Sequence, residues 1–352
     1  MFFTVRPLPY TKKRSFPRII FAYTDLSASS YYRIQVPATA LAEAGYPVGW
    51  GPVAMFAELP RASYDMVVIS RTGTGTPERV KQALESEQNQ GHVLLLDYDD
   101  NVLDIPDHNI GKPERTDGIE MAMRTADGLI VTNPTLKKAL KAYNPQVGIV
   151  PNYIDKTQWE FPKRAEDTDQ VKIGLFGTAT HVEDWKLVDE ALHRIVKDFP
   201  NVRVVCGGYQ PEYLKDISYL LPWAPLSDYQ KMLEGVDIGL CPLIDDAFNR
   251  AKSPIKAYEY GMAGCAVVAS PVQYHTAVQG RGYTATTPEQ WYSALRLYVG
   301  NKDKRRGDAR YLRQYLLRHI DVRGHASEIA AVYADMYRKA VQRRSPTSAQ
   351  RK

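Results

Sequence analysis

Residues 242–264, reading PLIDDAFNRAKSPIKAYEYGMAG, hold the richest set of chemically able side chains in the sequence. Asn249, Arg250 and Lys252 follow an apolar run that ends near Cys241. Ser253 and Pro254 then read as the N-cap and first residue of a helix. Lys256 falls in its first turn, where it opposes the helix dipole. With Lys252 and Arg250 it gathers positive charge where backbone N–H groups also lack partners. An anion resolves that arrangement, and a diphosphate meets both the N–H donors and the ammonium groups. Glu259, one turn along on the face of Lys256, is placed to accept hydrogen bonds from ribose hydroxyls. The plainer alternative is an i,i+3 surface pair worth a few tenths of a kcal/mol. Tyr258, Tyr260, Met262 and the following AVVA run make this helix a buried one, where an idle charge pair is costly.

Four further clusters carry polar chemistry. In residues 176–185 (FGTATHVEDW), Gly177 permits close backbone approach, Thr178 and Thr180 supply hydroxyls, and a helix begins near Glu183. This is one wall of a phosphate or sugar pocket, or simply a turn. His181 reads as a sugar contact, an acid/base group or an exposed loop histidine. In residues 97–101 (DYDDN), crowded carboxylates bind a cation, bind hydroxyls or raise one pKa for general-base work. Asp99 and Asp100 are taken as acceptor or sugar contacts, with N-capping of the next segment as the alternative. The loop 25–33 (DLSASSYYR) offers small residues, among them Ser30, that leave an approach open. Arg33 beside it reads as a phosphate contact or a solvated arginine. Trp223, in YLLPWAP, stacks on a base or closes the core.

These clusters need elements to hold them, and the sequence supplies two α/β series. Short apolar runs at residues 18–23, 65–70, 92–97, 128–132 and 146–150 alternate with helical patterns at 31–44, 77–90, 114–126 and 134–143. The rhythm restarts with strands at 171–176, 202–206, 237–241 and 266–269. Leu187, Ala191, Ile195 and Phe199, with Val188, Leu192 and Val196 beside them, give the intervening helix an apolar face. The expected fold is therefore α/β, with two Rossmann-like domains facing across a cleft. Residues 1–155 form the first domain, 156–170 a linker and 171–323 the second. Residues 324–352 form a final helix and basic tail, able to pack on either domain. Ligands of such sheets bind beyond the carboxyl ends of the strands.

Composition bounds the rest. The 352 residues suit two domains, and 44% hydrophobic with 24% charged residues is ordinary for a globular chain. No run approaches the apolar length of a membrane span, and the first eighteen residues lack the apolar stretch of a secretion signal. Cys206, Cys241 and Cys265 lie apart in or beside apolar runs and read as buried thiols of a reducing compartment, so a cytoplasmic location is expected. The net charge of +5 owes much to the chain ends, with Lys12, Lys13 and Arg14 at one and Arg343, Arg344, Arg351 and Lys352 at the other. Solvated tails are the preferred account, with nucleic-acid or anionic-membrane contact as the alternative.

The run KSPIKAYEYGMAGCAVVAS (252–270) resembles the donor-binding segment of retaining GT-B glycosyltransferases of group 1, or family 4. There a helix bearing lysine and glutamate leads into Gly-x-x-Val-Val-Ala-Ser. VTNPTLKKAL, VPNYID and IGLFGTATHVEDW look like the same family. The resemblance implies transfer of a sugar from a nucleotide-sugar donor, a UDP- or GDP-sugar, without a metal or other cofactor. It implies that Glu259 holds the donor ribose and Lys252 or Lys256 the diphosphate. Gly177, Thr178, His181, Trp223, Asn249 and Ser253 would complete the donor site, and Asp99 and Asp100 join the two lysines as catalytic candidates. Ser30 and Arg33 would meet acceptor or phosphate. The family often has a glutamate eight positions before Glu259, where this chain has Ala251; Asn249 or Asp246 stands in for it. The acceptor is open among a glycan, a lipid-linked glycan, a protein and a DNA base of the bacteriophage type. A nucleotide-sugar epimerase and a non-catalytic nucleotide-sugar-binding module are the rival functions.

Overall fold

The computed structural model describes residues 16–56, 59–71, 75–159, 169–225 and 228–344. Most of the expected linker and most of the basic ends lie outside them. The chain forms two compact units. One takes in the chain up to Asp104, Pro113–Tyr153 and the chain from Val322; the other takes Ile105–Lys112 and Ile154–Asp321.

The first unit is built on six parallel strands: β1 (Ile19–Tyr23), β2 (Val48–Pro52), β3 (Met66–Ser70), β4 (Val93–Tyr98), β5 (Gly128–Val131) and β6 (Val147–Ile149). They lie in the order β2-β1-β3-β4-β5-β6. Strand β2 is absent from the sequence reading because VGWGP has no apolar run, yet Val48 and Trp50 are buried. The single helix expected over 31–44 is three pieces: a short helix Ala28–Ser30, a π-helical turn Tyr31–Gln35 and an α-helix Val36–Glu43. Pro37 is the cause to which we assign the break. A proline has no N–H to donate and its ring crowds the carbonyl four residues back, so the wider turn before it relieves both. The final helix, Ala326–Arg344, belongs to this unit, with Tyr333 edge-on to Phe21 at 5.1 Å between ring centroids.

The second unit has β7 (Val171–Phe176), β8 (Val202–Gly207), β9 (Ser218–Leu221), β10 (Ile238–Cys241), β11 (Ala266–Ala269) and β12 (Tyr283–Thr284), in the order β12-β11-β10-β7-β8-β9. The pairs in this sheet are parallel throughout. Strand β9 escaped the sequence reading because it is an edge: Tyr219 and Leu220 are 40% and 45% exposed. The amphipathic helix is Val182–Asp198, which buries Trp185, Val188, Ala191, Leu192 and Ile195 against the sheet.

The centre of this sheet opens early. β7 stays in register with β8 from Val171 to Phe176, but pairs with β10 only at Ile173 and Gly174. Beyond that point Tyr260 takes over the hydrogen bonding. Its hydroxyl accepts from the Phe176 N–H and donates to the Gly174 carbonyl, both at 3.0 Å. Gly239 of β10 makes room for the ring, because a methyl group there would sit 2.2 Å from it. Tyr260→Phe leaves both backbone groups without this partner and is expected to cost about 2 kcal/mol, read by denaturant unfolding. A cost near zero would show that the hydroxyl does not hold the strands.

Candidate active site

In an open parallel sheet, ligands settle where neighbouring strands send their connections to opposite sides. β7 and β10 are such a pair, since β8 and β11 lie outside them. After β10 comes a short helix, Ala247–Arg250, capped by Asp246, whose Oδ1 accepts from the Asn249 N–H at 2.7 Å. The helix Ile255–Met262 follows. The cap position is Pro254 rather than Ser253, which corrects the expected start, and the Pro254 carbonyl accepts from the N–H groups of Ala257 and Tyr258 in a tightened first turn.

Lys256 and Glu259 do form the i,i+3 pair of the plainer alternative, Nζ to Oε2 at 2.8 Å, but it is not a surface pair, with only 4% of the Glu259 side chain exposed. Tyr229 joins them. Its hydroxyl accepts from Lys256 Nζ at 2.9 Å and donates to Glu259 Oε2 at 3.0 Å. Burial, reinforced by the Glu259 charge, pushes that hydroxyl well up, so it stays protonated. Tyr229 lies some thirty residues from Glu259 in an unremarked stretch, and no local spacing signals it. Lys252 lies with Nζ 4.6 Å from the Phe248 ring centroid.

The loop leaving β7 brings Gly177, Thr178 and His181 to the same end of the sheet. A methyl group on Gly177 would lie 3.2 Å from both the His181 and Trp185 rings, so a side chain there would crowd the loop. Thr178 shares a hydrogen bond with Thr180, 2.7 Å between hydroxyl oxygens. Asp184, one turn into the next helix, is the residue that joins this loop to the other. Its Oδ2 lies 2.9 Å from His181 Nδ1, while its Oδ1 accepts from the Ile244 N–H at 2.9 Å and from Asn249 Nδ2 at 3.0 Å. Burial lowers the His181 pKa; Asp184 pulls the other way, and the charges of Lys252 and Lys256 add to the lowering. For Asp184, burial alone would raise the pKa, but the His181 and Ile244 hydrogen bonds outweigh it and hold the carboxyl below its usual range.

Trp223 is half-exposed and tilted against Tyr229, with 6.1 Å between ring centroids. It closes no core. Its ring lies over Gly208, whose φ is 88° and where a methyl group would fall 2.3 Å from the indole. Gly208 therefore serves both a left-handed turn and a close approach.

In the first unit the expectations for Ser30 and Arg33 need correction. Arg33, in the π-helical turn, is 1% exposed. Its guanidinium grips Asp97 at 2.6 and 3.0 Å and donates to the Val150 carbonyl and Asn152 Oδ1 at 2.7 and 2.8 Å. It is neither a solvated arginine nor placed to meet a phosphate. Ser30 is equally buried and hydrogen-bonds Asp25 and Ser70. Asp99 and Asp100 cap no helix; both pair with Arg71, at 2.7 and 3.1 Å. Burial would push Asp99 up, but the charge of Arg71 and hydrogen bonds outweigh it and hold the carboxyl low. Arg71 sits at φ 40°, a strained conformation for a side chain of its size, at the carboxyl end of β3. Sequence reasoning passed over it. Among the described residues, no three His, Cys, Asp or Glu side chains gather as a metal-holding group.

Neither a protein-family model nor a curated protein matches this chain. Solved structures do. An alpha-glucosyltransferase in complex with UDP-glucose and DNA containing an abasic site is 14% identical with a TM-score of 0.64, over 90% of this chain and 99% of that one. Anabaena HepE in complex with UDP-glucose is 12% identical with a TM-score of 0.62, over 91% and 100%. A variant of S. aureus TarM, in complex with fondaparinux, alpha-GlcNAc-glycerol and UDP, is 10% identical with a TM-score of 0.57, over 77% of this chain and 55% of that one. The chain thus spans about half the length of TarM. The fold is that of the GT-B glycosyltransferases, with a parallel six-stranded Rossmann-like sheet in each unit.

Arg33→Met strips the buried Asp97 of its countercharge and is expected to destabilise the protein by about 3–5 kcal/mol in chemical denaturation. A loss of under about 1 kcal/mol would mean that the pair is not what holds the π-helical turn to β4.

Proposed function

We propose that this chain is a glycosyltransferase that moves a sugar from a nucleotide-sugar donor, bound by the second unit, to an acceptor hydroxyl. The observation that carries this reading is the buried Lys256–Tyr229–Glu259 group beside the amino end of Ile255–Met262. Without ligand, the ammonium and the carboxylate satisfy one another. A donor offers each a better match: its diphosphate to Lys256 and Lys252, its ribose hydroxyls to Glu259. Trp223 stacks on the base. The backbone at Gly177 and Thr178, and the side chains of His181 and Asn249, face the rest of the donor.

In the transfer step the bond between the anomeric carbon and the diphosphate oxygen breaks, leaving negative charge on the departing phosphate. The acceptor oxygen forms the new bond and gives up its proton to the departing phosphate. Lys252 and Lys256 stabilise the departing charge, which lowers the barrier only insofar as they grip it more tightly than the ground state. Asp99 and Asp100, held by Arg71, are assigned to the acceptor. UDP as the donor nucleotide is supported by the solved relatives that carry UDP or UDP-glucose. Retention at the anomeric carbon follows the family resemblance, for transfer of a hexosyl or a pentosyl group.

A DNA acceptor is a second reading, favoured by the DNA-bound alpha-glucosyltransferase and the net charge of +5. Activity on DNA would fall steeply with salt, whereas activity on a neutral glycan would not. A cytoplasmic site of action is supported by three buried free thiols. No helix among the described residues is long and apolar enough to cross a membrane.

The test is a panel of UDP-, GDP-, TDP- and ADP-sugars, read by donor-dependent thermal shift and by release of nucleoside diphosphate. One nucleotide class is expected to bind, and Glu259→Gln, which keeps size and an acceptor for Tyr229, should weaken it by roughly tenfold or more, about 1.4 kcal/mol. Absence of binding and release across the panel would overturn the function; unchanged affinity in Glu259→Gln would overturn the ribose assignment alone.

A further inference from the structure

The His181–Asp184–Asn249 group has a directionality that its hydrogen bonds dictate. A carboxylate only accepts, so a bond between Asp184 Oδ2 and His181 Nδ1 places the imidazole proton on Nδ1. In the neutral ring Nε2 is then a bare acceptor, and it has no protein partner among the described residues. Asn249 is oriented by the same logic. Both contacts of its amide nitrogen, Asp184 Oδ1 at 3.0 Å and the Ile244 carbonyl at 3.1 Å, are acceptors, which fixes which end is nitrogen. The other end, Asn249 Oδ1, is buried without a partner, and so is Asp246 Oδ2. Asn249 is 3% exposed. Three acceptor atoms thus stand at one end of the sheet with no protein donor to meet them.

We propose that Asp184 is a positioning residue that presents His181 Nε2 and Asn249 Oδ1 as hydrogen-bond acceptors, so that the site takes a neutral, hydroxyl-bearing sugar and rejects one bearing a carboxylate. The inference rests on the glycosyltransferase reading and specifies the donor's sugar. Sugar hydroxyls bring the missing protons to these acceptors. A uronic acid brings a further acceptor and a negative charge beside Asp184 and Asp246. The groups acting on His181 agree with the acceptor role: burial lowers its pKa, the charges of Lys252 and Lys256 lower it further, and Asp184 alone opposes them. Together they favour the neutral imidazole over the imidazolium. Asp184 touches neither the acceptor face of Asn249 nor that of His181; it acts through both. Rejection by unpaired polar groups is also the strong form of discrimination, since a site built to meet hydroxyls loses more to a mismatched polar group than an apolar pocket does.

Two measurements decide it. Long-range proton–nitrogen NMR of the free protein at pH 7 is expected to show His181 as the neutral Nδ1–H tautomer. Asp184→Asn, whose amide can donate to Nδ1, is expected to switch it to Nε2–H. An imidazolium or an Nε2–H tautomer in the unaltered protein would overturn the proposal, whatever the fate of the glycosyltransferase reading. The second measurement compares binding of UDP, a UDP-hexose and the matching UDP-uronic acid. The unaltered protein should bind the hexose donor at least about tenfold more tightly than the uronic donor. Asp184→Asn and His181→Phe should lose most of that preference, read as the ratio of hexose-donor to uronic-donor affinity in each variant. Equal binding of the two sugars by the unaltered protein, or an undiminished preference in both variants, would sink it. If no nucleoside diphosphate binds, the enzymatic reading fails with it, and the tautomer still reports separately on Asp184.

Discussion

The opening of β7 from β10, spanned by a single tyrosine hydroxyl, is the constraint on which the second unit's site depends. Two adjacent parallel strands whose connections leave to opposite sides cannot both be covered at their carboxyl ends. The ladder stops at Gly174, and Tyr260 completes it. Because Tyr260 is the residue after Glu259, the same hydroxyl fixes how the helix Ile255–Met262 is rotated about its axis. Glu259 is thereby turned toward Tyr229, and Lys256, one turn earlier on that face, comes with it. A packing requirement of the sheet and the placement of the polar group are one and the same contact.

The two units use buried charge in opposite ways. Arg33 and Asp97 are sealed in the first, with four hydrogen bonds from one guanidinium. A pair so buried gains little net stability, but removing either half leaves the other stranded, which makes it a strong registration device. It pins the π-helical turn to β4 and to the segment after β6. Arg71, with Asp99 and Asp100, is only half-covered, and its strained backbone keeps those carboxylates at the end of the sheet. In the second unit Lys256 and Glu259 are paired through a hydroxyl that can donate or accept, so either can exchange partners without leaving the other bare.

What was legible in the sequence follows from the range of the forces involved. Apolar runs and the four-residue recurrence in Val182–Asp198 report burial, a local property, and they placed most of the strands and the central helix. β2 and β9 were lost because one is made of glycine, tryptophan and proline and the other is an exposed edge. The Lys256–Glu259 pair was legible because a helix brings i and i+3 together. Tyr229, Asp184 and Arg71 were not, because each meets its partners across the fold: thirty positions separate Tyr229 from Glu259 and sixty-five separate Asp184 from Asn249. Arg33 misled for the same reason. Its type and position beside an open serine loop suggested a phosphate, and only the tertiary structure shows Asp97 already in its grasp.

The polar groups of the second unit divide by sign. On one side stand the cations Lys252 and Lys256. On the other stand bare acceptors: His181 Nε2, Asn249 Oδ1 and Asp246 Oδ2. A nucleotide-sugar divides the same way, with an anionic diphosphate between two hydroxyl-bearing groups. The correspondence bears on Ala251, where the resembling family often has a glutamate. Asp246 and Asn249, one short helix earlier, supply acceptor atoms from the same loop, and Asp184 supplies the negative charge from below them. Asp184 acts through the groups it holds. It sets the orientation of His181 and Asn249, and that orientation holds only while the carboxylate stays ionised. The His181 and Ile244 hydrogen bonds, by keeping Asp184 low against burial, are what keep it so.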